Sequence, residues 1–280
     1  LVNKVIKDME TFFTSFLMGG LGNQMFQISH ALCQGWKNNI PVIFKSESHT
    51  PNQGEQPTKY INNIFSNIKF QNTLPPTKRV TNIWGFKEIS LNLDTNIEFF
   101  GYYQSSKNFY GFGENIKEVF SPPEDYLKKI YLEYPELNNK NNISIHIRRG
   151  DYIKFSNVSP IIDISYIDKC LENISNYDNI FVLTDDKIWA EKNLNYKNLI
   201  IPKNLEDYEE LWLISLCRYN IMSNSTFSWW GSYLNKISDK VVFVPSIWFG
   251  PQGEKDYEDL YESDWNKINV EYENGKLICY

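Results

Sequence analysis

From residue 143 to residue 244, short β-branched runs alternate with helix-length amphipathic stretches, and this alternation narrows the possible folds more than any other feature. The spacing predicts strands at 143–147, 179–184, 199–201, 221–223 and 241–244, with helices over 166–175, 187–194, 205–219 and 228–234 between them. Strands and helices that alternate at this length build a parallel, doubly wound α/β sheet. Every strand's carboxyl end then faces one edge, and ligands bind along that edge.

Three clusters fall there. Ile143, Ile145 and Ile147 alternate with Ser144, His146 and Arg148, and Gly150 ends the run, so Arg148, Arg149 and Asp151 sit at or just past a strand end. Adjacent guanidiniums suit a diphosphate, because their planar forks pair bidentately with phosphate oxygens; taken alone, the pair also fits a solvated surface loop. Arg149-Gly150-Asp151 spells an adhesion tripeptide too, but a strand end flanked by isoleucines is a poor protruding loop. Thr184-Asp185-Asp186 closes the next strand. A carboxylate there suits the donors of a guanine edge or ribose hydroxyls, whereas helix capping explains Asp186 more readily than Asp185. Asn224, Ser225, Thr226 and Ser228 lie in a polar turn opening a helix, read either as a plain cap or as donors for phosphate oxygens. One nucleoside diphosphate lying across the edge accounts for all three.

The first half is less regular. A strand at 12–17 runs into Gly19-Gly20-Leu21-Gly22-Asn23-Gln24 and then a helix with an apolar face of Met25, Phe26, Ile28, Ala31, Leu32 and Trp36. This turn lacks the third glycine of a dinucleotide fingerprint. A strand at 41–45, a surface loop at 46–59 and short strand-like runs over 60–110, one at 97–103, follow. Trp84, Tyr102 and Tyr103 read as core aromatics or as a sugar-facing wall. Pro122-Pro123 opens a helix to residue 134, and the polar run 138–142 marks the expected junction. The expected domains are 1–138 and 139–280, with the last residues able to pack back on the first.

Hydrophobic residues make up 42% of the 280 and aromatics 16%, which excludes a disordered chain. A net charge of −6 argues against a nucleic-acid partner. The four cysteines form no CxxC pair, so reduced thiols are expected and neither zinc nor a disulfide framework. No apolar run approaches the ~20 residues of a membrane span, which predicts a soluble cytoplasmic protein, although a chain starting at Leu1 leaves an upstream anchor open. The Asn-x-Ser/Thr sequons at Asn142, Asn157, Asn173 and Asn224 are expected by chance in so Asn-rich a chain. No Asp-x-Asp occurs, so no metal site is expected and leaving-group charge falls to Arg148, Arg149 and the helix start.

The blocks GGLGNQMFQ (19–27), GYYQSSKNF (101–109), HIRRGDY (146–152), FVLTDD (181–186) and LWLISLCRYNIMSNSTFSWWGSYLN (211–235) resemble bacterial and viral members of glycosyltransferase family 11, the α-1,2-fucosyltransferases, across most of the chain and in order. The resemblance implies a GT-B-like α/β fold, two Rossmann-like domains facing across a cleft. It also implies GDP-fucose as donor substrate, a galactoside-type acceptor glycan, inversion, and neither cofactor nor obligatory metal. Position by position, Arg148 resembles the β-phosphate arginine, His146 the histidine beside guanosine and Asp185 the base-reading carboxylate. Asn224, Ser225, Thr226 and Ser228 resemble the phosphate-cradling turn, and Gly20, Gly22, Asn23 and Gln24 the acceptor-domain side of the cleft. Asp151 is expected to orient the catalytic Arg148 and Arg149. Ile28-Ser29 departs from the family's Tyr-Ala, and the acceptor-side loops match nothing, so the acceptor stays open. The general base is unassigned: His30 reads as a core histidine, and the acids of 46–115 or the departing diphosphate remain. Two other readings stand, a transferase of the same fold with another nucleotide sugar, and a non-catalytic carbohydrate-binding protein using Trp84, Tyr102 and Trp248. Oligomeric state is not readable.

Overall fold

In the computed structural model, which describes residues 11–47 and 54–280, the chain separates into two units. Residues up to Ser121 group with Glu258–Leu260, and Pro122–Tyr257 group with Tyr261–Tyr280. The division therefore falls upstream of the polar run at 138–142.

The first unit contains β1 (Phe13–Ser15), α1 (Leu21–Asn38), β2 (Phe44–Lys45), β3 (Phe70–Gln71), β4 (Lys78–Thr81), β5 (Ile97–Phe100) and α2 (Gly113–Phe120). β5 pairs in parallel with β1 and β4, and β2 with β3. Phe13 N donates to Pro41 O at 2.9 Å and Ile43 N to Phe13 O at 3.0 Å, which joins the two groups in the order 3-2-1-5-4. The strand expected at 41–45 pairs regularly only at Phe44–Lys45. The one expected at 97–103 stops at Phe100, because a Cβ on Gly101 would strike Asn82 O and Tyr103 adopts φ 53°. That turn carries the Tyr103 ring inward, so it is a core aromatic. The buried face of α1 is partly polar: Gln27 accepts from Met18 N (2.9 Å) and donates to Met18 O (3.1 Å), as a strand neighbour would.

The second unit contains α3 (Glu124–Glu133), β6 (Ile143–Ile147), β7 (Ile161–Ile162), α4 (Ile164–Glu172), β8 (Ile180–Thr184), α5 (Lys187–Asn193), β9 (Leu199–Ile200), α6 (Asp207–Ile214), β10 (Tyr219–Ile221), α7 (Thr226–Tyr233), β11 (Val241–Pro245), β12 (Asn266–Ile268), β13 (Glu271–Glu273) and β14 (Lys276–Ile278). Six strands form an all-parallel sheet in the order 12-11-10-6-8-9. Counted from β6, this is the 3-2-1-4-5-6 order of a Rossmann fold, with its switch point between β6 and β10. All residues of β6 and β8 are buried, as in a parallel sheet covered on both faces.

The predicted elements appear with shifted ends. The helix expected over 205–219 stops at Ile214, because Asn220 Nδ2 donates to the carbonyls of Ile214 (2.9 Å) and Cys217 (3.2 Å) and releases Tyr219–Ile221 into the sheet. The helix expected from 228 begins at Thr226, capped by Ser225. The chain end stays with the second unit, where β14 pairs with β13 and β7, so the expected return to the first domain is limited to Glu258–Leu260. All four cysteines are free. No helix among the described residues is long and apolar enough to cross a membrane.

Candidate functional site

At the switch point, β6 delivers Arg148 and β10 delivers Asn224 to neighbouring positions on one edge. Arg148 is held by two carboxylates: Nε and Nη2 lie 2.9 and 2.7 Å from Asp151 Oδ1, and Nη1 lies 3.1 Å from Asp185 Oδ2. Burial disfavours its charge, but Asp185 and Asp151 outweigh that and raise its pKa. Arg149 turns elsewhere. Its Nε lies 3.0 Å from Asp186 Oδ2, and its guanidinium stacks 4.1 Å from the Trp189 ring centroid. The two guanidiniums thus do not form one fork. Arg148 is 39% exposed and Arg149 17%, which leaves Arg148 as the cation a ligand meets.

Asp185 faces inward to the loop. Its oxygens accept from Arg149 N at 2.9 Å and Gly150 N at 3.1 Å as well as from Arg148. A Cβ on Gly150 would sit 2.7 Å from Asp185 Oδ2, so this approach needs glycine. The expected base-reading carboxylate is here a clamp on the Arg148–Gly150 backbone. Asp186 caps α5, accepting from Trp189 N at 3.0 Å, in line with the capping alternative.

His146 is buried, with Nδ1 2.8 Å from Ser223 Oγ and its ring tilted against Phe227 at 4.9 Å. Burial, with Arg148 adding to it, pushes its pKa down to about 3, so the ring is neutral near pH 7. Tyr152 ties the two loops together. Its hydroxyl donates to Asn224 O at 3.0 Å while Arg148 lies 5.9 Å from its ring centroid, and burial raises its pKa to about 12. Asn224 is buried, its Nδ2 donating to Trp248 O at 2.8 Å, and its Oδ1 has no partner among the described residues. Ser225 Oγ accepts from Phe227 N at 3.3 Å as the cap of α7, and half-buried Thr226 is the first helical residue. Ser228 is fully buried and donates to the carbonyls of Ser223 and Ser225 at 3.2 Å, which makes it a brace inside the turn.

The four residues expected from the first unit shape its glycine turn. Gly20 is the N-cap of α1 and Gly22 is buried. Asn23 Oδ1 accepts from Gln104 Nε2 at 2.8 Å. Gln24 is buried, donating to Gly19 O (3.0 Å) and Glu55 O (2.7 Å). His30 is a core residue as expected, stacked 3.9 Å from Tyr103 and pushed down to about 3 by burial first and then by Lys37. Trp84 and Tyr102 stack at 4.8 Å and are half-buried, whereas Trp248 is buried and offers no sugar-binding face. Tyr152 and Trp189 received no role from the sequence. Their signals were slight: an aromatic closing the HIRRGDY block, and an aromatic three residues after the capping aspartate. Among the described residues no group of three or more His, Cys, Asp or Glu could hold a metal ion.

A cation fixed by two carboxylates beside the start of an eight-residue helix, at a Rossmann switch point, can grip a diphosphate. The chain matches the model of glycosyl transferase family 11 over residues 2–269. It is 29% identical over 274 residues to an alpha-1,2-colitosyltransferase of Escherichia coli, covering 83% of this chain and 91% of that protein. An O-antigen biosynthesis glycosyltransferase, WbnK, also of Escherichia coli, is 32% identical over 221 residues, covering 71% and 69%. Among solved structures the fold is similar to fucosyltransferase NodZ from Bradyrhizobium, with a TM-score of 0.55 at 10% identity over 80% of this chain and 93% of that one. A NodZ crystal soaked with GDP-fucose matches at 0.52 and 12%, over 82% and 97%.

Proposed function

The chain belongs to glycosyl transferase family 11, and from that premise we propose that it moves L-fucose from GDP-β-L-fucose to the 2-hydroxyl of a galactoside-type glycan, inverting the anomeric carbon without a required metal. It is a glycosyltransferase of α/β fold; donor, linkage and acceptor are the proposal. The observation that carries it is Arg148, locked by Asp151 and Asp185 next to the α7 start. As the glycosidic bond breaks, charge grows on the departing diphosphate, and a donor already aimed there stabilises it without reorganising. Neutral His146 contributes a hydrogen-bonding ring and no charge, and buried Asn224 Oδ1 suits a ligand hydroxyl. GDP-fucose is substrate, and no further cofactor enters.

A second reading is a colitosyl donor on the same site, favoured by the name of the Escherichia coli relative. Incubation with GDP-fucose and lactose in EDTA, with the product linkage read by NMR, tests both. Wild type forms an α-1,2 product, and Arg148→Ala lowers kcat by ~10²–10³, the loss typical of one transition-state donor, with an unchanged circular dichroism spectrum. Undiminished turnover by that variant removes the mechanism. Turnover of GDP-colitose with none of GDP-fucose hands the site to the second reading, and a strict need for Mn²⁺ or Mg²⁺ refutes metal independence.

A further inference from the structure

We propose that a cavity in the first unit binds a neutral saccharide and, on the glycosyl-transfer reading above, receives the acceptor. The cavity measures about 390 Å³ and is lined among others by Thr14, Phe16, Lys45, Glu47, Arg79 and Glu98, a volume within the range of small-molecule sites. Thr14 and Arg79 are both Cα partners of Glu98 on neighbouring parallel strands, so the three side chains form one row on one face of the sheet. Phe16 follows Thr14 by two residues on that face, and Lys45 and Glu47 lie at and past the carboxyl end of β2.

The lining chemistry narrows the ligand class. Lys45 and Arg79 balance Glu47 and Glu98, so the formal charge of these four is zero. A phosphate or sulfate site needs uncompensated positive charge, and an apolar ligand would leave four ionic groups desolvated. A pyranoside suits the wall: each hydroxyl both donates and accepts, and a ring's C–H face packs on an aromatic. Arg79 is preorganised, its guanidinium 5.4 Å from the Phe16 ring centroid and 4.6 Å from that of Phe100. Its Nε and Nη2 reach Glu98 Oε2 at 2.7 and 2.6 Å. Both bonds fall on one oxygen, and Glu98 Oε1 takes no partner among the described residues. That oxygen is the acceptor for a sugar hydroxyl.

The test reads lactose directly. Saturation-transfer NMR on the full chain without donor should show lactose bound to wild type, with affinity reduced at least tenfold in Glu98→Gln and in Glu47→Gln. Glu47 is exposed, so its variant carries no folding risk. Acceptor KM should rise by the same factor in both variants, while GDP affinity, measured by calorimetry, stays within twofold. Absence of lactose binding in wild type, or affinities within twofold in both variants, overturns the proposal. Failure of the functional reading looks different: wild type binds lactose, with the variants weakened, but transfers no sugar to it from any GDP-sugar.

Discussion

Asp185→Asn separates two jobs that one carboxylate at a strand end can do. In the structure Asp185 takes three hydrogen bonds, from Arg149 N (2.9 Å), Gly150 N (3.1 Å) and Arg148 Nη1 (3.1 Å). Asparagine has one acceptor oxygen and turns an NH₂ toward groups that are all donors, so one or more of these bonds is lost. A hydrogen bond to a charged group contributes about 1.5–3 kcal/mol, and the side chain is 25% exposed, which favours the lower part of that range. A cost of ~2 kcal/mol lowers the Tm of a chain this size by about 4–8 °C. Arg148 also loses one of its two anchors, and kcat should fall ~10–100-fold, short of deleting the donor outright. Differential scanning fluorimetry reads the first effect and steady-state turnover the second. Competition by GDP against inosine diphosphate, which lacks the exocyclic amine, reads the alternative job. If Asp185 clamps the backbone, the GDP/IDP ratio is the same in variant and wild type. An unchanged Tm together with lost discrimination would show a base reader and refute the clamp.

Two further outcomes follow from packing and burial. A Cβ on Gly231 would lie 2.6 Å from Ile214 Cβ and 2.7 Å from its Cγ2, where α7 meets α6; Gly231→Ala should cost about 1–3 kcal/mol by overpacking, and a Tm within 1 °C of wild type would contradict that contact. His30 and His146 are each held down to about 3 by burial, against 6.5 when unfolded. The unfolded chain therefore binds the extra protons as pH falls, so stability is full above pH ~6.5 and declines by up to about 1.4 kcal/mol per pH unit per histidine toward pH 3. His30→Phe should roughly halve the slope these two contribute to Tm between pH 6.5 and 4.5, and an unchanged slope would show that His30 is solvated.

The second unit was legible because buried parallel strands leave unbroken apolar runs, as in β6 and β8, and acidic or capping residues open the helices. Ends failed where a distant side chain decides them: Asn220 stops α6 from its place on the next strand. The two-residue strands β2 and β3 leave no period to read. The place of the site was legible in the Arg148 block, but its wiring was not. Asp185 and Gly150 are 35 residues apart, and no local pattern says that a carboxylate will bond main-chain N–H groups there. The Arg79–Glu98 pair escaped for the same reason, since it depends on the register of β4 against β5.

The clamp also explains why one arginine can serve where two adjacent ones suggested a pair. A guanidinium carries five N–H donors. Arg148 uses Nε and one donor of Nη2 on Asp151, and one donor of Nη1 on Asp185. One donor remains on each Nη, the two-pronged geometry that matches adjacent phosphate oxygens. Two carboxylates around one cation would be wasteful if its task were net charge, because they offset it. They make sense if its task is direction, with the fork fixed before the ligand arrives. Arg149, stacked on Trp189 and paired with Asp186, then serves to hold the far side of the same turn.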